Sequence, residues 1–240
     1  KYKARDDLGR LDPRYAAMIE ATDASLGRIF QTLEERGIED QTMVIFTSDN
    51  GAFGGVSDLT PLREAKGYLY EGGIRVPLII RWPGKADAGR ICSTPVISMD
   101  FYPTLLEAAA LQPTPSMPQD GVSLLPLLKG DSIDREAIYF HYPNYAFHRS
   151  NRLGSAIRVG DEKLIERFDD GSLELYDLSV DIGESKNLAE QRPGRAETLR
   201  KKLASWRATS GAAMPKALAP ALDAKAALDA KAALDANGAR

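Results

Sequence analysis

Tyr15, Met18, Ile19, Thr22, Leu26, Ile29, Phe30 and Leu33 fall on one stripe at helical spacing, with polar residues filling the opposite face. Asp12 and Pro13 stand before the stripe as a capping carboxylate and a ring that fits the first turn, and Gly37 stands after it as a stop. The pattern predicts an amphipathic helix of about six turns. After a short linker, residues 42–47 are apolar or β-branched without alternation, the pattern of a strand buried on both faces. The strand runs into VIFTSDNG, so Asp49 and Asn50 stand side by side at its carboxyl end. Residues 52–70 have no sustained period and read as a long loop, which in a compact domain is either functional or disordered. A second apolar strand is expected over 74–82, with Pro77 limiting its pairing and Pro83 and Gly84 ending it. A helix follows over 101–111, with Pro103 near its start and Leu105, Leu106 and Ala109 facing inward.

Pro113, Pro115 and Pro118 mark an internal boundary. Beyond it, residues 137–142, 155–159, 163–168 and 173–177 are short strand candidates separated by the turn formers GDE and DDGS. They predict an antiparallel meander, with a helix over 196–208 covering one face through Leu199, Leu203 and Trp206. From Ala221 the chain repeats ALDAKA, and stepping six residues turns a helix by about 240°, so its leucines make no stripe. That tail reads as a solvated helix or disorder. The expected division is an α/β part over 1–111, a small antiparallel-sheet domain over 112–214 and a low-complexity tail over 215–240.

Composition narrows the chemistry. With 43% hydrophobic residues among 240, the chain can bury a core. A net charge of -3, from 31 basic and 34 acidic residues, makes no electrostatic case for nucleic acid or an anionic membrane as partner. No apolar run approaches the roughly 18 residues of a spanning helix, and the start at Lys1 shows neither an initiator Met nor a signal-peptide pattern, so the N-terminus is expected to lie further upstream. One cysteine excludes an intrachain disulfide framework, and two histidines exclude a His-rich zinc centre.

In an open α/β sheet, ligands bind beyond the carboxyl ends of the strands, where Asp49 and Asn50 stand. A carboxylate beside an amide carbonyl is a hard oxygen pair suited to Ca²⁺ or Mg²⁺, although an Asx-turn closing the strand would use the same residues. Calcium takes six to eight oxygens, so the pair fills only part of a shell. Lys66, in PLREAKGYLYEGG, is either a solvated lysine or a point charge for a tetrahedral oxyanion. Glu71 and Arg75 are expected to pair or cap locally. His141, in YFHYPNY, reads as a histidine satisfied within its strand, and His148, Arg149 and Arg152 as a basic loop.

VIFTSDNG, PLREAKGYLYEGGIRVPLIIRWPG, PVISMDFYPTLLEAA, DGVSLLPLLKG and ELYDLSVDIGESKNLA, in this order and spacing, resemble the second half of the type I sulfatase family. The match runs over residues 15–214. It implies an alkaline-phosphatase-like fold: a large α/β domain with a mainly parallel core sheet, then a small α+β domain of antiparallel strands plus helix. It also implies that Asp49 and Asn50 ligate a divalent cation, normally Ca²⁺, and that Lys66 contacts the sulfate and steadies the departing alcohol. His141 stands in a segment that often faces the cleft in this family, which makes it a candidate substrate contact. The implied substrate is a sulfated small molecule or sulfated glycan, and the implied location is periplasmic or extracellular. Where the family commonly has glycines before the lysine, this chain has Glu64 and Ala65.

The family's nucleophile is a formylglycine made within a CxPSR-like motif. Cys92, in RICSTPVIS, lacks the motif's proline and arginine and reads as a small thiol. The chain is therefore expected to be the C-terminal part of a sulfuric ester hydrolase, needing an N-terminal half for its nucleophile and remaining metal ligands. Without that half, the parallel sheet would expose unpaired edges and invite self-association. Two alternatives stay open: a phosphonate or phosphate-ester hydrolase of the same superfamily, and a noncatalytic remnant or binding module.

Overall fold

Helix α1, Pro13–Glu35, starts and stops at the expected residues in the computed structural model, which describes residue 2 and residues 12–114, 116–117, 120–144 and 152–215. The Asp12 carboxylate accepts the Arg14 amide at 2.7 Å and the Arg14 guanidinium at 2.8 Å, and these hydrogen bonds hold its pKa down at about 2. Gly37 closes the helix at φ +61°, a left-handed conformation that costs glycine little. The stripe is apolar as expected, but Met18 is 65% exposed and Ile29 50% exposed.

Strand β1, Val44–Thr47, pairs antiparallel with β2, Leu78–Arg81, setting Val44 opposite Arg81 and Thr47 opposite Leu78. The pair is antiparallel because the excursion between the strands returns the chain to the same end of β1 and needs no crossover. One expectation is corrected here: burial on both faces fails, since Phe46 and Ile79 are exposed and only these two strands form the sheet among the described residues. The segment before β2 is not strand. Residues Glu71–Ile74 make one helical turn, α2.

Helix α3, Phe101–Ala108, is joined to the short α4, Leu125–Lys129, by polar residues at its base. Buried Asp100 accepts the amides of Ile97 at 2.8 Å and Val122 at 3.1 Å, and Thr104 Oγ1 accepts the Leu124 amide at 2.9 Å.

The C-terminal strands form an antiparallel sheet in sequence order: β3, Ile138–Tyr142; β4, Gly154–Val159; β5, Glu162–Arg167; and β6, Leu173–Asp177. Ile157, Leu164 and Leu175 point to one face, where α5, Pro193–Ser210, covers them with Ala196, Leu199 and Leu203. Each fully buried leucine there contributes roughly 1.5–3 kcal/mol. Trp206 stacks on Tyr139 with ring centroids 4.8 Å apart. Ala156, Ile165 and Tyr176 point to the opposite face, where Leu69 and Tyr70 of the long loop pack on them. That second face joins the sheet to the segment carrying Lys66. The ALDAKA tail lies outside the described residues.

Candidate functional site

The turn after β1 is fixed by short hydrogen bonds. Thr47 Oγ1 donates to the Pro77 carbonyl at 3.0 Å, and Ser48 Oγ donates to the Asn50 carbonyl at 2.9 Å. The chain then threads through a contact that admits no side chain: a Cβ on Gly51 would lie 1.9 Å from the Gly72 carbonyl oxygen. A Cβ on Gly72 would meet the Glu64 carbonyl at 2.2 Å, and one on Gly73 the Tyr68 carbonyl at 2.1 Å. Three glycines thus let SDNG and YEGG pack backbone to backbone. The knot is closed by Gly51 N–H to Gly73 O at 2.9 Å, Lys66 N–H to Ala52 O at 3.0 Å and Gly72 N–H to Arg63 O at 2.9 Å. Asp49, Asn50 and Lys66 are therefore carried on one hydrogen-bonded unit, although 16 positions separate Asn50 from Lys66.

These three side chains share a second property. Among the described residues, none of the Asp49 carboxylate, the Asn50 amide and the Lys66 amine has a hydrogen-bond or ion-pair partner, whereas nearby Glu71, Asp100, Glu174 and Glu184 are all engaged. Asp49 is exposed, and Asn50 and Lys66 are half-buried. Asp49 and Asn50 line a cavity of about 730 Å³ whose walls include Arg75, Arg90, Cys92 and Arg158, and Lys66 lies outside that lining. The donor set suits a hard cation in kind. No group of three or more His, Cys, Asp or Glu side chains able to hold a metal occurs among the described residues, and the pair alone offers fewer oxygens than the six to eight that calcium takes.

Below the knot sits a buried polar layer that sequence reasoning missed. Lys163, fully buried on β5, lies 3.0 Å from Glu71 Oε1 and 2.8 Å from Glu184 Oε1. Glu184 Oε2 accepts the Glu71 amide at 2.6 Å. Burial pushes the Glu71 carboxyl up, but Lys163, Arg158 and Arg75 outweigh it and hold the group below the usual carboxylate range. For Glu184 burial wins over Lys163, and the neighbouring Glu71 charge adds to it, so its pKa is raised. Beside this triad, Glu174 accepts Tyr70 Oη at 2.6 Å, Tyr176 Oη at 2.7 Å and Arg167 Nε at 2.6 Å. Burial and the Glu174 carboxylate push both tyrosine hydroxyls up, so they remain donors. Arg63 donates to Tyr176 Oη at 3.1 Å and lies 3.9 Å over the Tyr70 ring. The available signal was alternation in EKLIER, which puts Lys163 and Arg167 on one face with Ile165.

Glu71 and Arg75 do pair, at 3.3 Å, as expected, but Glu71 is also the centre of a larger network. Expected contacts further along resolve into structure. His141 Nε2 donates to the Ala213 carbonyl at 2.7 Å, which leaves Nδ1 to accept Ser155 Oγ, also at 2.7 Å. Its ring packs near Phe168 and Trp206. Both nitrogens are engaged within the fold, the arrangement expected of a histidine satisfied within its strand. Arg152 pairs with Asp169 at 2.8 Å and Asp170 at 2.7 Å rather than standing free. His148 and Arg149 lie outside the described residues. Cys92 is exposed and unpaired.

A helix and a strand end carrying oxygen donors, followed by an antiparallel sheet with one covering helix, is the order that the resemblance to alkaline-phosphatase-like sulfatases implies. Two family models agree: "Sulfatase" matches residues 1–111, and "N-sulphoglucosamine sulphohydrolase, C-terminal" matches residues 65–209. The chain belongs to the sulfatase family. A sulfatase of Formosa agariphila is 40% identical over 235 residues, covering 86% of this chain and 42% of that relative. The solved structure of Ps i-CgsB in complex with k-i-k-neocarrahexaose superposes with a TM-score of 0.72 at 26% identity, covering 85% of this chain and 44% of the other. A structure in complex with D-glucosamine-2-N,6-O-disulfate gives a TM-score of 0.68 at 31% identity, over 81% of this chain and 40% of the other. The chain spans less than half the length of these relatives. No described helix is long and apolar enough to cross a membrane.

Proposed function

We propose that this chain forms one wall of a sulfate-ester hydrolase site. Asp49 and Asn50 offer a carboxylate oxygen and an amide oxygen to a divalent cation, for which calcium is the best fit by donor type. When bound, that cation supplies positive charge beside the sulfate oxygens. Lys66 is carried on the same hydrogen-bonded unit. Its ammonium offsets the negative charge that grows on the leaving alcohol oxygen as the sulfur–oxygen bond breaks, and a point charge with rotatable donors suits that oxygen. The observation that carries this reading is the coupling of three uncommitted polar groups through the Gly51–Gly73 and Lys66–Ala52 hydrogen bonds.

The nucleophile is assigned to a formylglycine outside residues 1–240, because Cys92 lacks the surrounding motif. Sulfated glycans are the proposed substrate class, supported by the D-glucosamine-2-N,6-O-disulfate of one matching complex and the neocarrahexaose of the other, and a compartment outside the cytoplasm goes with that substrate. Calcium titration followed by NMR tests the metal assignment. Shifts at Asp49 and Asn50 with a dissociation constant on the order of millimolar are expected, as for a partly filled shell, and should vanish in Asp49→Ala. Micromolar affinity, or no response at those two residues, contradicts it.

A further inference from the structure

We propose that Glu184 is a positioning residue for Lys66, gripping both ends of the loop that presents it. The inference rests on the reading of Lys66 as the sulfate contact. At one end of the loop, the Glu184 carboxylate accepts the Glu71 amide at 2.6 Å. At the other, its main-chain carbonyl accepts Arg63 Nη1 at 2.9 Å. Arg63 O in turn accepts the Gly72 amide at 2.9 Å, so the two gripped ends are tied to each other with Lys66 between them. The grip is itself anchored. Asp181 accepts the amides of Ser185 at 3.1 Å and Lys186 at 2.9 Å, and Asn187 Oδ1 accepts the Leu175 amide of β6 at 2.9 Å.

The choice of residue at 184 points the same way. Glu184 is fully buried and holds φ +51°, a conformation that glycine or asparagine would adopt at lower cost. Neither of those side chains could reach the Glu71 amide and lie beside Lys163 at once. Burying a carboxylate at a strained position is unfavourable unless its contacts are specific, and its contacts here are to the lysine loop. Lys163 supplies the countercharge from the sheet, and the sheet is rigid because α5 covers its other face.

Amide hydrogen exchange of the full chain tests the inference. Glu184→Ala should speed exchange in residues 63–73 by about tenfold or more while the amides of β4 and β5 keep their rates. Because that variant leaves Lys163 poorly compensated, two double variants remove the charge pair together: K163M/E184Q keeps an acceptor for the Glu71 amide, and K163M/E184L does not. Faster exchange in 63–73 with leucine but not with glutamine is the expected result. Equal exchange in the two overturns the proposal. Reductive ¹³C-methylation of Lys66, titrated with inorganic sulfate, separates this from the functional reading. A sulfate-dependent shift that weakens in the leucine variant supports both. If the loop loosens but Lys66 ignores sulfate in every variant, the positioning role stands and the sulfate assignment falls.

Discussion

Lys163 and Glu71, 92 residues apart, meet at 3.0 Å inside the protein with no access to solvent at Lys163. This contact locks the C-terminal sheet to the loop bearing Lys66. It also concentrates a large energetic risk at one site, because each buried charge depends on its partner.

Replacing Lys163 with methionine leaves Glu71 and Glu184 as neighbouring buried carboxylates. Urea unfolding should show a loss of about 3–5 kcal/mol. Neutralising all three groups, as K163M/E71Q/E184Q, should recover much of that loss. A triple variant as unstable as the single one would contradict the view that unpaired charge is the cause.

The backbone knot makes a contrasting pair of glycine predictions. Gly51→Ala places a Cβ 1.9 Å from a main-chain oxygen, and should cost at least about 3 kcal/mol or displace the YEGG segment. Gly27 lies within α1, where an added methyl would meet nothing within 4 Å, so Gly27→Ala should stabilise by about 0.5–1 kcal/mol. Thermal melts of the two variants check both signs.

Stability should fall in acid. Glu71 and Glu174 have depressed pKa values, so the stability they contribute is present above their ordinary value of 4.5 and is lost as pH drops through the folded values. Glu184 is raised and works in the opposite sense, its contribution declining as pH rises from 4.5 through its folded value. Below pH 4.5 the Glu184 contribution is already fully present, so the loss of the Glu71 and Glu174 contributions produces an acid limb there. Glu174→Gln removes one of the depressed groups, so its denaturation midpoint should start lower at neutral pH and fall less steeply in acid. A midpoint that falls as steeply as in the unaltered chain would contradict the assignment.

Much of this was legible in sequence because it rests on local rules. Asp12, Pro13 and Gly37 bracket α1 through capping, and the β4 to β6 strands follow from turn formers between apolar runs. The adjacency of Asp49 and Asn50 was legible as chemistry, and its link to Lys66 as resemblance. What stayed hidden is tertiary. Nothing local to Glu184 or Lys163 says that each faces Glu71, since a charged strand residue is ordinarily solvated. Glu64 likewise holds φ +59°, a left-handed conformation that favours glycine and that its residue type does not announce. Burial on both faces of β1 does not follow from its sequence, because an apolar run reports only that a strand seeks cover, and cover comes from whatever packs against it.

The most direct test of the proposed role is turnover of an aryl sulfate by the complete protein in the presence of calcium, comparing Lys66→Ala with the unaltered lysine. The account predicts a kcat lower by about 100-fold or more, with calcium still bound at Asp49 and Asn50. An unchanged kcat in Lys66→Ala would contradict it.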